Sequence, residues 1–299
     1  QLGLRAEHAI QIPYLISTGE KFRSDYANLF PSAFIKYEFK PDHELSLSYG
    51  RRINRPRSRQ LNPFTSYADP FNLRLGNPKL GPDYINTINL GYSLDKKKFN
   101  LTLGVYFRQN DNVISRVKEF YENGATAVTY ANIDKSLSVG PDFVFNYRPT
   151  SWMKHMLSGH GNNIQYSDDT EGIDLNNSGF FWSLKYSGKF EFWNKSSTIQ
   201  VNGRYNSPRI TAQGSIKPRV SVGISGNKKL KKSKWTVGFR VSDVFNTREF
   251  NIIIDQTSSF QTLRYKQNTR RFYLNLSYRF GKYELNKIGS GNGGGGFDF

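Results

Sequence analysis

The residues in this chain most suited to chemistry are its arginines. Arg51, Arg52, Arg55, Arg57 and Arg59 crowd one short stretch, and planar guanidinium forks grip carboxylates and phosphates through paired hydrogen bonds. Such a cluster can clasp a carboxylate, a phosphate or the phosphates of lipid A. It can equally hold its own loop down through backbone carbonyls and aromatic stacking. A second set of bases, Arg108, Arg148, Lys185, Lys189, Arg204, Arg219, Arg240, Arg271 and Arg279, falls on the polar positions of alternating segments, where Glu191 is one of few acids. Lining one wall, they would favour an anionic solute or seat an acidic protein surface, whereas the plain reading is a solvated polar lining.

Other chemistry finds little to work with. His155 and His160 lie an odd number of residues apart, so within one strand they point to opposite sides. Ser158 and His160 share a side, but no third group orients them as a nucleophile and base require. His8 and His43 are isolated. Asp168, Asp169, Glu171 and Asp174 cluster in an order that departs from a calcium-binding EF-hand loop, and a solvated acidic loop is the simpler reading. Cysteine is absent, which excludes disulfides, zinc thiolates and thiol nucleophiles. No phosphate-binding glycine loop, metal-ligand spacing or nucleophile elbow occurs, so neither enzyme nor cofactor is expected. The basic run Asn227 to Lys234 reads as a solvated turn.

The segments that must position these residues are strands. Phe272, Leu274, Leu276, Tyr278 and Phe280 alternate with Arg271, Tyr273, Asn275, Ser277 and Arg279. The same period of two separates Phe99, Leu101, Leu103, Val105 and Phe107 from Asn100, Thr102, Gly104, Tyr106 and Arg108. Along the chain this pattern places about twelve strands, at 1–12, 32–39, 43–52, 84–94, 98–121, 125–148, 152–166, 178–192, 196–206, 210–226, 234–245 and 270–280. Aromatic residues make up 15% of the chain, with 26 glycines and two methionines, a composition that favours strands and tight turns over helices.

A soluble sandwich alternates in the same way, but connection lengths discriminate. Short links (40–42, 95–97, 149–151, 193–195 and the longer 227–233) alternate with long ones (13–31, 53–83, 167–177 and 246–269), the exceptions being 122–124 and 207–209. Outer-membrane barrels pair short periplasmic turns with long external loops in this manner. Tyr49, Tyr92, Tyr166, Trp182 and Trp193 sit near strand ends, where aromatic residues anchor at membrane interfaces or pack in a core. Mean hydropathy is -0.62 and no apolar run is long enough for a spanning helix, a test that a barrel escapes because only alternate residues meet lipid. The net charge of +18 calls for a polyanionic neighbour, but bases and aromatics occupy opposite strand faces, which argues against nucleic acid. The start Gln1 to Glu7 carries no secretory leader pattern, so any targeting signal is expected outside this sequence.

The longest connection has its own character. Leu61 to Pro82 holds Pro63, Pro70, Pro78 and Pro82 with Gly76 and Asn77, which exclude a regular helix and a central strand, while Phe64, Tyr67 and Phe71 argue for packing. With R-R-I-N-R-P (Arg51 to Pro56), L-N-P-F, D-P-F-N-L and G-N-P-K-L-G-P, it resembles the signature loop of outer-membrane β-barrel proteins related to TonB-dependent receptors. N-L-F-P-S (Asn28 to Ser32), V-S-D-V-F-N-T (Val241 to Thr247) and the closing R-R-F-Y-L-N-L-S-Y-R-F-G (Arg270 to Gly281) extend the likeness, which is closest to the type abundant in Bacteroidota. Such receptors begin with a partner-binding segment and a plug, so the chain resembles their C-terminal barrel portion.

The fold expected is therefore an all-β, antiparallel transmembrane β-barrel, or part of a larger one, over residues 1–281, with a flexible glycine-rich tail at 282–299. Tyr278 and Phe280 are expected to close the last strand, with Phe299 as the competing terminal aromatic. The resemblance implies integral outer-membrane placement, contact with lipid and lipopolysaccharide, and solute uptake through a plugged barrel energised by a TonB-type complex. Arg51, Arg52, Arg55, Arg57, Arg59 and Asn77 are the candidate external-loop residues, and the strand bases are the candidate lumen residues facing solute or plug. The competing readings are a non-transporting barrel serving as a scaffold for surface protein partners and a passive, anion-preferring pore.

Overall fold

The computed structural model describes residues 1–16, 19–66, 71–121, 124–168, 175–230, 234–256 and 259–280. Tyr67 and Pro70 of the proline-rich loop, Asp169, Glu171 and Asp174 of the acidic loop, three residues of the basic turn and the glycine-rich tail with Phe299 lie outside these residues. Twelve strands form one antiparallel wall in chain order: β1 (Leu2–Gln11), β2 (Ser24–Lys40), β3 (His43–Asn54), β4 (Asp83–Asp95), β5 (Phe99–Phe120), β6 (Thr126–Tyr147), β7 (Met153–Ser167), β8 (Asn177–Phe192), β9 (Ser197–Asn206), β10 (Arg219–Lys229), β11 (Trp235–Ser242) and β12 (Arg271–Tyr278). Each pairs with its sequence neighbours. Among the described residues β1 and β12 are therefore edges, and the wall is open.

The register separates two chemistries. Exposed apolar residues recur at every second position, as in Leu45 and Leu47, Ile88 and Leu90, Leu103, Val105 and Phe107, and Phe272, Leu274 and Leu276. Cross-strand partners keep them on one side: Leu47 opposes Leu90, Leu90 opposes Val105, and Phe239 opposes Leu274. A continuous apolar face of this size on one side of a sheet is what lipid requires and what water penalises.

Two prolines lie inside strands and are accommodated differently. The Phe34 N–H donates to Gln1, so even-numbered N–H groups near this end of β2 point toward β1. The nitrogen of Pro31 therefore faces β3, whose pairing with β2 begins only at Ser32, and no ladder bond is lost. Pro141 is central in β6. The β6–β7 register is interrupted between the pairs Asp142–His160 and Val139–Asn163, leaving the Gly161 carbonyl without a donor from Pro141. The Tyr106 hydroxyl, reaching over from β5, donates to that carbonyl at 3.2 Å while its ring stacks on His160 at 5.3 Å. The strands approach so closely here that a Cβ on Gly140 would lie 2.0 Å from the Gly161 oxygen.

The upper parts of the structure differ from the expected loops. β2 extends from Ser24, so the first long connection is shorter than 13–31 and carries a small hairpin, Tyr14–Leu15 with Glu20–Lys21. The segment 210–226 is two things, a short hairpin (Arg209–Thr211 and Gly214–Ile216) and then β10. That hairpin joins Phe250–Gln256 and Ser259–Tyr265 in a separate four-stranded sheet. Around the short link expected at 122–124, β5 and β6 form a hairpin paired continuously from Phe99–Tyr147 to Phe120–Thr126 apart from one step, so the external feature here is the hairpin itself. A compact core of Val117, Ile133, Leu175 and Ala212 joins this hairpin to the neighbouring loops, with Tyr166 packed against it. Tyr166 is thus a core residue and not an interfacial anchor.

Removing the Tyr106 hydroxyl leaves a carbonyl unsatisfied inside the wall, a loss of about 1–3 kcal/mol. Tyr106→Phe is expected to lower the unfolding midpoint of the full-length protein in detergent, and Gly140→Ala, which meets rigid backbone, to lower it further. Gly203→Ala, where a Cβ meets nothing within 4 Å, is expected to leave it unchanged. Equal midpoints for Gly140→Ala and Gly203→Ala would contradict the close approach.

Candidate functional site

The polar face of the wall is the first candidate surface. Following cross-strand partners, Arg108 shares a face with Ser138, Ser158 with Lys185, Lys185 with Arg204, and Arg204 with Ser221. Ser225 then opposes Arg240, which opposes Tyr273, next to Arg271 in alternation. Arg108, Lys185, Lys189, Arg204, Arg240 and Arg271 thus look out of the same side, opposite the apolar face. Arg148 and Arg279 sit one residue past their strands, where their N–H groups close turns onto Lys98 and Lys234.

Acids on this face are more numerous than Glu191 alone, but they are unevenly placed. Glu38 opposes Glu44, and Asp142 opposes His160. Glu44 is bound by Lys36 at 2.6 Å, and Glu191 holds Lys189 at 2.8 Å. On this face the first seven strands mix bases (Arg5, Lys36, Arg52, Arg108, Lys154) with acids (Glu7, Glu38, Glu44, Asp83, Asp142), whereas β8 to β12 carry Lys185, Lys189, Arg204, Arg219, Arg240 and Arg271 against Glu191 among the described residues. The positive character therefore belongs to one side of the wall. His160 and His155 lie on opposite faces: His155 bonds the Tyr186 hydroxyl at 2.9 Å and meets Tyr147 and Phe190, while His160 faces Tyr106 and Phe181.

The second candidate surface is the cap over the wall, and the arginine-rich loop is built into it. Arg55 donates to Glu7 and to the Tyr26 hydroxyl at 2.9 Å, tying the loop to β1 and β2. Arg51 lies over the Tyr84 ring at 5.5 Å, while Arg52 stays in β3 opposite Ile85. Arg57 and Arg59 flank and enter a single helical turn, Ser58–Leu61, a short regular piece just ahead of the prolines. The Asn77 side chain donates to the Tyr130 carbonyl at 3.0 Å and accepts from the Lys79 N–H at 2.9 Å. At Gly76 a Cβ would come within 2.5 Å of the Asn62 and Gln60 carbonyls, so this corner admits only glycine. Downstream, Asn132 and Gly81 bond reciprocally, and Asn112 donates to Pro82 at 2.7 Å. Asn72–Arg74 even adds a parallel strand to β6, a pairing that local sequence gives no means of expecting. The loop is thus held to the β5–β6 hairpin largely by backbone and amide bonds.

Three further contacts were not legible from composition. Lys118, buried in the β5–β6 hairpin, donates through Nζ to Gln261 and Asn72, linking three external segments. The Gln213 amide accepts from the Lys118 N–H at 2.8 Å and donates back to its carbonyl at 3.2 Å. After β11, buried Asp243 accepts from the Arg248 N–H at 2.9 Å, from the Thr247 N–H and hydroxyl at 3.2 and 3.1 Å, and from the Thr269 hydroxyl. Burial alone would raise its carboxyl, but the hydrogen bonds from Thr269, Arg248 and Thr247 outweigh it and hold the group below the ordinary aspartate range. An aspartate followed four residues later by threonine is a recognisable loop-capping pattern, and it could have marked Asp243 within V-S-D-V-F-N-T.

The apolar face carries aromatics near the short turns. Trp193 is 71% exposed with Lys228 over its ring at 4.6 Å, Trp235 meets Tyr278 at 4.7 Å, and Tyr278 meets Phe280 at 4.7 Å. Tyr92 bonds His43 at 2.9 Å, Tyr49 bonds Asn86 at 3.1 Å, and Trp182 packs on Tyr205.

A family model described as the outer membrane protein beta-barrel family matches residues 1–278. Among curated proteins nothing matches. Solved structures with the same architecture include the siderophore receptor PirA from Pseudomonas aeruginosa, 13% identical with a TM-score of 0.58 over 92% of this chain and 45% of that one. The FrpB iron transporter from Neisseria meningitidis (F5-1 variant) is 15% identical with a TM-score of 0.61, covering 93% and 43%. The copper transporter OprC is 13% identical with a TM-score of 0.63, covering 93% and 45%. The chain spans less than half the length of each of these structures.

Because the Asp243 carboxyl is lowered in the folded protein, its contribution is full above the free aspartate value near 4 and fades as pH falls through the lower folded value. Asp243→Asn is expected to destabilise the full-length protein by about 1–3 kcal/mol at neutral pH. It should also reduce the dependence of stability on pH below 4. Identical unfolding curves for both proteins at pH 7 would show that the clasp carries no stability.

Proposed function

The chain belongs to the outer membrane protein beta-barrel family, and on that premise we propose that it forms the wall and external cap through which a solute enters a receptor-like barrel. An integral outer-membrane location goes with the family. The observation that carries the proposal is the joint architecture. The chain joins an apolar face, a polar face and a cap of interlocked loops, and over about nine-tenths of its length its fold is similar to that of receptors and transporters.

In this reading the inner face of β8 to β12 meets the solute or an acidic plug surface, and the plug and the contact with a TonB-type energising complex come from parts of the protein outside this chain. The chain binds and admits; it does not catalyse. The motifs around the proline-rich loop favour a receptor of the Bacteroidota type. Identities of 13–15% carry the fold and not the cargo, so the siderophore, iron and copper of the relatives are not transferred. The excess of bases over acids in β8 to β12 favours one second reading, a passive pore preferring anions.

The two readings separate in one experiment. Cells bearing the full-length protein are expected to deplete a solute from defined medium in a way that deletion of the gene abolishes and a protonophore arrests, while the purified protein in planar bilayers stays closed. Steady anion-selective conductance with protonophore-insensitive uptake would establish the pore instead.

A further inference from the structure

A cavity of about 810 Å³ opens on the polar face of β10 to β12, beneath the segment that links β11 to β12. Its volume lies within the range of small-molecule sites. Three arginines line it, Arg240, Arg248 and Arg271. Arg240 opposes Tyr273 and Arg271 opposes Ser242, so the two arginines are diagonal neighbours on one face, with backbones about 7–8 Å apart. Arg248 arrives from the linking segment, whose backbone the Asp243 carboxylate holds through the Arg248 N–H.

Among the described residues none of the three guanidinium groups enters an ion pair. In the linking segment, Asp243 spends its oxygens on Thr247, Thr269 and the Arg248 N–H, and Glu249 is engaged by Arg264 and Asn251. Neutral hydrogen-bonding side chains, Asn227, Gln267 and Asn275, complete the lining. Three exposed arginines thus line one concavity with no ion-pair partner among the described residues, and guanidinium forks favour planar or tetrahedral oxyanions.

We propose that this cavity binds a compact polyanion bearing two or more carboxylate or phosphate groups, the class of solute, or of solute headgroup, that the barrel admits. The inference deepens the uptake reading and rests on it for the fate of the ligand, while binding is tested without transport. Citrate and pyrophosphate, each titrated calorimetrically into the full-length protein in detergent, distinguish a carboxylate site from a phosphate site. Saturable binding of at least one is expected, weakened at least tenfold by Arg240→Gln with Arg271→Gln and by Arg248→Gln. Lys98→Gln, at a distant turn, is expected to bind as the unmodified protein does, and retained heat-modifiable gel mobility shows that each variant is folded.

Absence of binding for both anions overturns the proposal, as does equal affinity in the double arginine variant. Binding that appears only after the remainder of the protein is proteolytically removed also overturns it, because an acidic polypeptide segment then fills the cavity. Arginine-dependent binding in a protein that supports no uptake leaves this site standing and defeats the uptake reading alone.

Discussion

Backbone hydrogen bonding in a medium without water is the constraint on which this structure depends. Each peptide group within the hydrocarbon layer must find a partner, because an unsatisfied one costs several kcal/mol. Ten of the twelve wall strands have a paired neighbour on both sides, and long antiparallel registers such as that of β5 with β6 leave little exposed. Where sequence denies a donor, at Pro141, a tyrosine hydroxyl from the next strand but one supplies it. Among the described residues β1 and β12 are the edges, and in lipid each must be paired, with the other or with further strands. The receptors and transporters that share the fold are more than twice as long as this chain.

Once pairing fixes the wall, side-chain alternation assigns the two faces their tasks. Apolar residues meet lipid, and the opposite face becomes a charged lining that a soluble core would not tolerate. Above the wall, where water returns, the rules relax and local devices take over: the Asp243 clasp, the reciprocal amides of Gln213 with the Lys118 backbone, and the Asn132–Gly81 pair. These contacts join segments distant in sequence into one cap. The arginine cavity sits at the junction of the two regimes, with Arg240 and Arg271 placed by strand register and Arg248 by the cap.

How much of this was legible in the sequence follows from the same division. Period-two patterning placed β3 at 43–52 against an observed His43–Asn54, and β8 at 178–192 against Asn177–Phe192, because lipid enforces the alternation residue by residue. The register of bases was equally readable, since Arg108, Lys185 and Arg240 needed only parity. The cap was not. Ile210–Ile216 reads as the start of β10 because its alternation is indistinguishable from that of a wall strand, and only pairing with Phe250–Gln256 sets it apart. Asn72–Arg74 lies among prolines and pairs with β6 in parallel, through contacts some fifty residues distant in sequence. Tyr166 resembles an interfacial aromatic by position, but it packs, half-buried, against the cluster of Val117, Ile133, Leu175 and Ala212. The acids on the inner face outnumber the few expected, although parity alone sets Glu44 opposite Leu45 and Leu47, and Asp142 opposite Phe143 and Phe145, and the register agrees.

These 299 residues contain no cysteine, so once any cysteine elsewhere in the protein is replaced the two faces can be tested directly. Single cysteines placed at Leu103, Val105, Leu274 and Leu276, and at Thr102, Arg108, Asn275 and Ser277, can carry nitroxide labels in the full-length protein reconstituted in lipid. Collision with oxygen reports lipid exposure, and collision with a water-soluble nickel chelate reports exposure to water. The first four positions are predicted to favour oxygen and the second four not to, in strict alternation along both β5 and β12. Water exposure at Leu103, Val105, Leu274 and Leu276, or loss of the alternation in either strand, would contradict the barrel wall described here.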